Sequence, residues 1–342
     1  SSSSSSSSPP PPCWFVVSSG EATAGGEHTT LTLSSSPTLH LIVPHPPPTQ
    51  VLSLYSNGLT SVEGIGVLGA TPVREINLGQ NLLSSLPDEL AALAPTLERL
   101  WVDGNRLGPQ LPACVPRLSA LRVLRASNNK IEELPEDLGE RLPLLEVLAV
   151  DNNDLSALPA SVYALRHLET LIVRGNQIAE ISEDVARLAE LRIVQASSNR
   201  LVRIPEALGG LVKLEELYLN SNRIAEVPAS LRGLVRIKKI SLANNRIQAL
   251  PAVLEEQWHL DGSPGSGPAD AVGGDGGGVG ADPAIVVELF GNPLGREEEE
   301  EEGVVAGEDD RVMADEGGAL AAKGAEKLEL GNKRQKKDAK EA

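Results

Sequence analysis

The leucines, isoleucines and valines of this chain return in one fixed order. The frame is apolar-x-x-apolar-x-apolar-x-x-Asn-x-apolar, clearest at Leu145, Leu148, Val150, Asn153 and Leu155. It occurs ten times, with Thr49 taking the leading apolar position of the first copy. Its asparagine falls at Asn57, Asn81, Asn105, Asn129, Asn153, Asn176, Asn199, Asn222, Asn245 and Asn292. The step is 24 residues four times, 23 four times and then 47. A near-constant period of this length marks a repeat architecture.

The two halves of the unit predict different elements. The apolar-x-apolar centre has strand period, so Leu148 and Val150 share one face while Ala149 and Asp151 take the other. The asparagine follows where the strand ends. Its amide carries donors and an acceptor, and can satisfy backbone groups that a buried turn would orphan. Stacked units therefore predict a ladder of asparagines. Six residues later comes a proline: Pro87, Pro135, Pro159, Pro205, Pro228 and Pro251. In the third unit it is displaced to Pro112, and in the sixth Ser182 replaces it. Apolar residues three apart follow, as at Leu90 and Leu93 or Val162 and Leu165. Proline opens a short helix but cannot continue a strand. Each unit thus reads as strand, turn and short helical return.

On these ten copies the chain resembles the leucine-rich repeat proteins over residues 49–294. The resemblance implies an α/β fold, a solenoid with a curved parallel sheet on its concave face and short helices or 3-10 turns on its convex face. The 23-residue unit with Leu-Pro after the asparagine, as at Asn153, Leu155, Leu158 and Pro159, is similar to the intracellular type. Plant Ras-group-related leucine-rich repeat proteins and animal Ras-pathway scaffolds carry that type.

The flanks are of different material. Residues 1–48 open with eight serines and four prolines, a low-complexity tract unable to bury a core. They read as an arm, with a small capping hairpin over Cys13–Val17 and Thr30–Val43 as the alternative. Residues 261–283 are Gly-rich and carry no strand frame, so they read as a loop inserted into the return of the ninth unit. Residues 295–342 hold an acidic run, Glu297–Glu302, and end in the basic cluster Lys333, Arg334, Lys336 and Lys337. The chain begins with Ser1, which leaves a preceding targeting segment open.

Charge and cysteine narrow the function classes. A formal charge of −17 disfavours sequence-independent binding of nucleic acid. No apolar run is long enough for a membrane span. Two cysteines, Cys13 and Cys114, make no disulfide framework, and none of the 16 asparagines lies in a glycosylation sequon. Both counts point to a reducing compartment, cytoplasmic or else nuclear.

Catalytic chemistry finds no seat. The five histidines are scattered, and none is paired at metal-ligand spacing. Gly64, Gly66 and Gly69 spell G-x-G-x-x-G, but on the return of a repeat rather than after the strand of a βαβ unit. They read as structural filler. No catalytic residue, cofactor or metal is expected.

The outward strand positions carry the information. Between the two strand apolars stand, among others, Trp101, Arg125, Ile172 and Tyr218; two residues further on stand Tyr55, Asp103, Asp151, Arg174 and Phe290. Trp, Tyr and Arg dominate interface energetics. Phe290, near the end, is expected to pack on a flanking segment, a reading that stays open for Tyr55. Trp101, Asp103, Arg125, Asp151, Arg174 and Tyr218 are the expected partner-binding set. The chain reads as a non-catalytic protein–protein interaction scaffold or adaptor in intracellular signalling, with a protein partner on the concave face. Two rivals stand beside it. One is a nuclear regulator similar to the acidic leucine-rich nuclear phosphoproteins, which bind histones and regulate phosphatases. The other is the interaction domain of a larger signalling enzyme.

Overall fold

In a computed structural model the ten frames become ten rungs of one sheet. The structure describes residues 14–18, 21–24, 51–70, 72–258 and 285–294. The chain divides into two compact units, Ser1–Arg296 and Glu297–Ala342, and every described residue belongs to the first. The expected insertion at 261–283 and tail at 295–342 lie outside the described residues, as does most of the arm at 1–48.

The strands are β1 (Trp14–Ser18), β2 (Glu21–Ala24), β3 (Val51–Ser53), β4 (Glu75–Asn77), β5 (Arg99–Trp101) and β6 (Val123–Arg125). They continue as β7 (Val147–Ala149), β8 (Thr170–Ile172), β9 (Ile193–Gln195), β10 (Glu216–Tyr218), β11 (Lys239–Ser241) and β12 (Val286–Glu288). From β3 to β12 each strand pairs in parallel with the next, β11 with β12 included. β1 joins β3 in parallel and pairs β2 antiparallel, so a hairpin continues the first edge. Its second strand is Glu21–Ala24; Thr30–Val43 lies outside the described residues.

A left-handed residue closes every rung. Ser56, Gln80, Asn128, Asn152, Ser198, Ser221 and Asn244 have φ between 51° and 59°, and Gly104, Gly175 and Gly291 between 65° and 75°. Each stands directly before a ladder asparagine. The reversal ends the strand and turns the asparagine inward. Asn153 shows the result. Its Nδ2 donates to the carbonyls of Val150 and, one repeat back, Ala126, both at 3.0 Å. Its Oδ1 accepts the N–H of Ile131, also one repeat back, at 3.0 Å. Equivalent bonds recur from Asn81 to Asn292.

Beneath the strands lies one continuous apolar core, in which Leu148, Leu171 and Leu217 are at most 1% exposed. The returns close it. Among the described residues seven are 3-10 helices, including Ile65–Ala70, Asp88–Leu93, Ala160–Ala164 and Glu183–Arg187; two are α-helical, α1 (Leu138–Arg141) and α2 (Ala252–Gln257). Pro87, Pro159, Pro205, Pro228 and Pro251 cap five of them, where a missing N–H leaves nothing unsatisfied. Ser182 solves the same problem differently. Its hydroxyl accepts the N–H of Asp184 at 3.1 Å. Its own N–H, which proline would lack, donates to the buried Tyr163 hydroxyl at 3.1 Å. The glycines of G-x-G-x-x-G serve packing. A Cβ on Gly66 would sit 2.8 Å from Cβ of Glu89, and one on Gly69 3.0 Å from that of Ala92.

Two measurements test this scheme. Asn153→Ala should lower the unfolding free energy by about 2–4 kcal/mol, through orphaned buried groups. Asn292→Ala, on the half-buried last rung, should cost clearly less in the same urea titration. Tyr163→Phe should cost about 1–3 kcal/mol, because it strands the Ser182 N–H. In a Ser182→Pro background, compatible with the native φ of −67°, the same change should be close to neutral.

Candidate functional site

The strands place their outward residues in columns, one residue per rung, about 5 Å apart. Trp101 on β5 is in register with Arg125 on β6, then Ala149 on β7 and Ile172 on β8. The next column brings Asp103, Ser127, Asp151 and Arg174 beside them. Five of the six expected residues therefore gather on four consecutive rungs: Trp101, Asp103, Arg125, Asp151 and Arg174. Tyr218 stands on β10, two strands beyond β8.

Three of the five, Asp103, Arg125 and Asp151, are joined by polar contacts through Ser127. Arg125 Nε lies 3.4 Å from Asp103 Oδ2, and Asp103 Oδ1 accepts the Ser127 N–H at 3.0 Å. The Ser127 hydroxyl donates to Asp151 Oδ1. Asp151 Oδ2 accepts from Asn152 Nδ2 at 3.1 Å. Burial raises the Asp103 carboxyl above its ordinary value, opposed by the Ser127 N–H and by Arg125. Trp101 is half-buried, while Arg125 and Arg174 are exposed. Outward position alone does not mean exposure: Ala149 and Ser127 are each 2% exposed. Rungs this close let long neighbours roof over a short side chain.

Tyr218 belongs to a second cluster. Its hydroxyl donates to Glu216 Oε2 at 3.0 Å, and the Lys239 ammonium lies 5.5 Å from its ring centroid. Lys239 in turn pairs with Glu288 at 2.8 Å. Burial, then Glu216, raises the phenol's pKa. Phe290 departs from expectation. It is 67% exposed rather than packed on a flank; it follows β12, the last rung among the described residues. Tyr55 is 52% exposed and lies over the next repeat, where a Cβ on Gly79 would touch its ring at 3.1 Å.

Sequence reasoning missed the column just before the strands. It holds Arg74, Glu98, Arg122, Glu146, Glu169, Arg192, Glu215 and Lys238. Opposite signs on neighbouring rungs pair: Arg74 with Glu98 at 3.0 Å, Arg122 with Glu146, and Glu215 with Arg192 at 2.5 Å and Lys238 at 2.6 Å. The signal was present as a charge alternation at the repeat period, which the apolar frame hides.

Burial pushes the Cys114 thiol up to about 11, so it stays protonated. His167 is exposed. Among the described residues no cluster of His, Cys, Asp or Glu could hold a metal ion, and no helix is long and apolar enough to cross a membrane. A groove of about 960 Å³, lined by Leu111, Pro116, Glu133, Pro135 and Pro159, contains none of the six residues.

The paired column predicts a pH dependence. Hydrogen bonds from Lys238 and Arg192 hold Glu215 down to about 2, from an ordinary 4.5. A depressed folded pKa stabilises the fold above about pH 4.5, and that contribution is lost as pH falls toward 2. Glu215→Gln should therefore flatten the fall in melting temperature between pH 5 and pH 2, and added salt should shrink the difference between the two proteins.

Comparison with known proteins gives a consistent answer. Residues 103–258 match the family model described as a leucine-rich repeat region. No curated protein sequence matches the chain. The fold is similar to that of Toll in the Drosophila Toll–Spatzle complex, with 25% identity, a TM-score of 0.54, and 60% of this chain and 29% of that one covered. It is similar to that of the PEPR1–AtPEP1 structure, with 25% identity, a TM-score of 0.50, and 62% and 34% covered. A leucine-rich repeat protein of Leptospira interrogans aligns at 18% identity and a TM-score of 0.38, over 72% and 85%. The chain thus spans about a third of the Toll and PEPR1 chains it matches. A family match across residues 103–258, ten parallel rungs and an asparagine bridging each to the one before give this chain the leucine-rich repeat fold.

Proposed function

We infer that the chain is a non-catalytic protein-interaction scaffold that seats a protein partner on its concave sheet. Leucine-rich repeat folds commonly serve protein interaction. One observation carries the reading here. Trp101, the Arg125–Asp103 pair, Asp151 and Arg174 stand together on four adjacent rungs, where backbone and asparagine bonds fix every Cα. An aromatic anchor beside arginines on a rigid frame loses little conformational entropy on binding. Tyr218, held by Glu216 and Lys239, forms the far end of the same surface. Two of the similar structures are complexes by name, Toll with Spatzle and PEPR1 with AtPEP1. A signalling role and a cytoplasmic location, with the nucleus as alternative, belong to this proposal.

The test is affinity capture from cell extract by the full chain, beside Trp101→Ala/Arg125→Ala and Trp101→Ala/Tyr218→Ala variants. The variants should melt close to the wild type and lose the captured protein. A partner held equally by all three, or lost only when melting also collapses, would sink the concave-face assignment.

A further inference from the structure

The column one residue past the ladder asparagine holds charges that the fold does not pair. In repeats seven, eight and nine it contains Arg200, Arg223 and Arg246, all exposed. Their N–H groups donate to the carbonyls of Ile178, Leu201 and Ile224 at 2.9, 2.8 and 2.8 Å. They thus occupy equivalent places on successive rungs, about 5 Å apart. The ion pairs of these repeats are made by Arg192, Arg203, Lys213, Lys238 and Lys239 instead. Among the described residues, none of the three arginines has an ion-pair partner.

The contrast with the column before the strands is the argument. There Arg192, Glu215 and Lys238 alternate in sign and pair across rungs. Here three like charges occupy one column on successive rungs, an arrangement that is unfavourable on adjacent strands. They do so in a chain of charge −17, rich in carboxylates that could have been placed among them. The arrangement suits an opposite charge brought from outside. Arginine presents a planar fork of donors that matches a carboxylate. Beside the three lie Ser198, Ser221 and Asn244, with polar side chains at least partly open to solvent.

We propose that Arg200, Arg223 and Arg246 form a docking edge for an acidic, extended segment of a partner protein. This edge is separate from the concave columns of the proposed scaffold site and does not depend on that reading. Charge complementarity selects the occupant. A peptide crossing three rungs covers about 10 Å, or roughly four extended residues, so a short glutamate or aspartate run is sufficient. A long polyanion such as nucleic acid would also meet the negative remainder of the chain.

The probe is a fluorescein-labelled hexaglutamate peptide, with a hexaglutamine peptide and an oligothymidine strand as comparisons. Its anisotropy is followed with the full chain at low and at physiological salt. The wild type should bind hexaglutamate, weaken with salt and ignore hexaglutamine. A triple variant, Arg200→Gln/Arg223→Gln/Arg246→Gln, should lose about tenfold or more in affinity. Its melting temperature should hold or rise, because self-repulsion is relieved. A control of equal charge change on the return side, Arg166→Gln/Arg232→Gln/Arg236→Gln, should bind as the wild type does. Absence of wild-type binding, equal loss in the control, a fall in melting of the triple variant, or tighter binding of oligothymidine would each overturn the proposal.

Discussion

Every repeat of this protein has to bury a turn, and a buried turn has backbone groups with nowhere to go. The ladder asparagine meets that constraint. One short side chain spends its donors on two carbonyls and its acceptor on an N–H of the neighbouring repeat, as Asn153 does with Val150, Ala126 and Ile131. The rest follows. Repeat strands stay at three residues, and the left-handed residue follows three positions after each one ends. The returns can be irregular, 3-10 or α, because the turn side fixes the register.

A frame locked in this way leaves its outward columns free for other work. Charge is sorted column by column. The line before the strands places opposite signs on most neighbouring rungs and ties repeat to repeat, as Arg192 does with Glu215. The central columns mix an aromatic with paired and unpaired ions around Trp101 and Asp103. A net charge of −17 conceals this sorting, because the total says nothing about which column a residue occupies.

Much of this was legible in the sequence. The apolar frame and its asparagine determined the fold class, the strand positions and the ladder, because one period imposes all three. The Ser182 exception was visible, but its compensation by Tyr163 was not, since that bond spans two repeats through a buried hydroxyl. The left-handed column escaped notice because only Gly104, Gly175 and Gly291 announce it; serine, glutamine and asparagine fill the other places. The site was legible as columns but not as exposure. Ala149 and Ser127 lie in outward columns and are nonetheless covered, while Phe290 stays open at the end. Accessibility depends on what stands one rung away, and that is a property of the stack rather than of the unit.

The asparagine bridges also give the array a direction. Each reaches back toward the amino-terminal neighbour, so a turn is completed by the repeat that follows it. Remove the first repeat, and the asparagine behind it can rotate a freed amide into water. Remove the last, and the newly terminal repeat is left with a backbone N–H that cannot swing away. The Leu59 N–H, on a residue 1% exposed, illustrates that dependence: its acceptor is Asn81, one repeat on. The solenoid is a one-way zipper, whose carboxy-terminal end needs a finishing piece more than its start does.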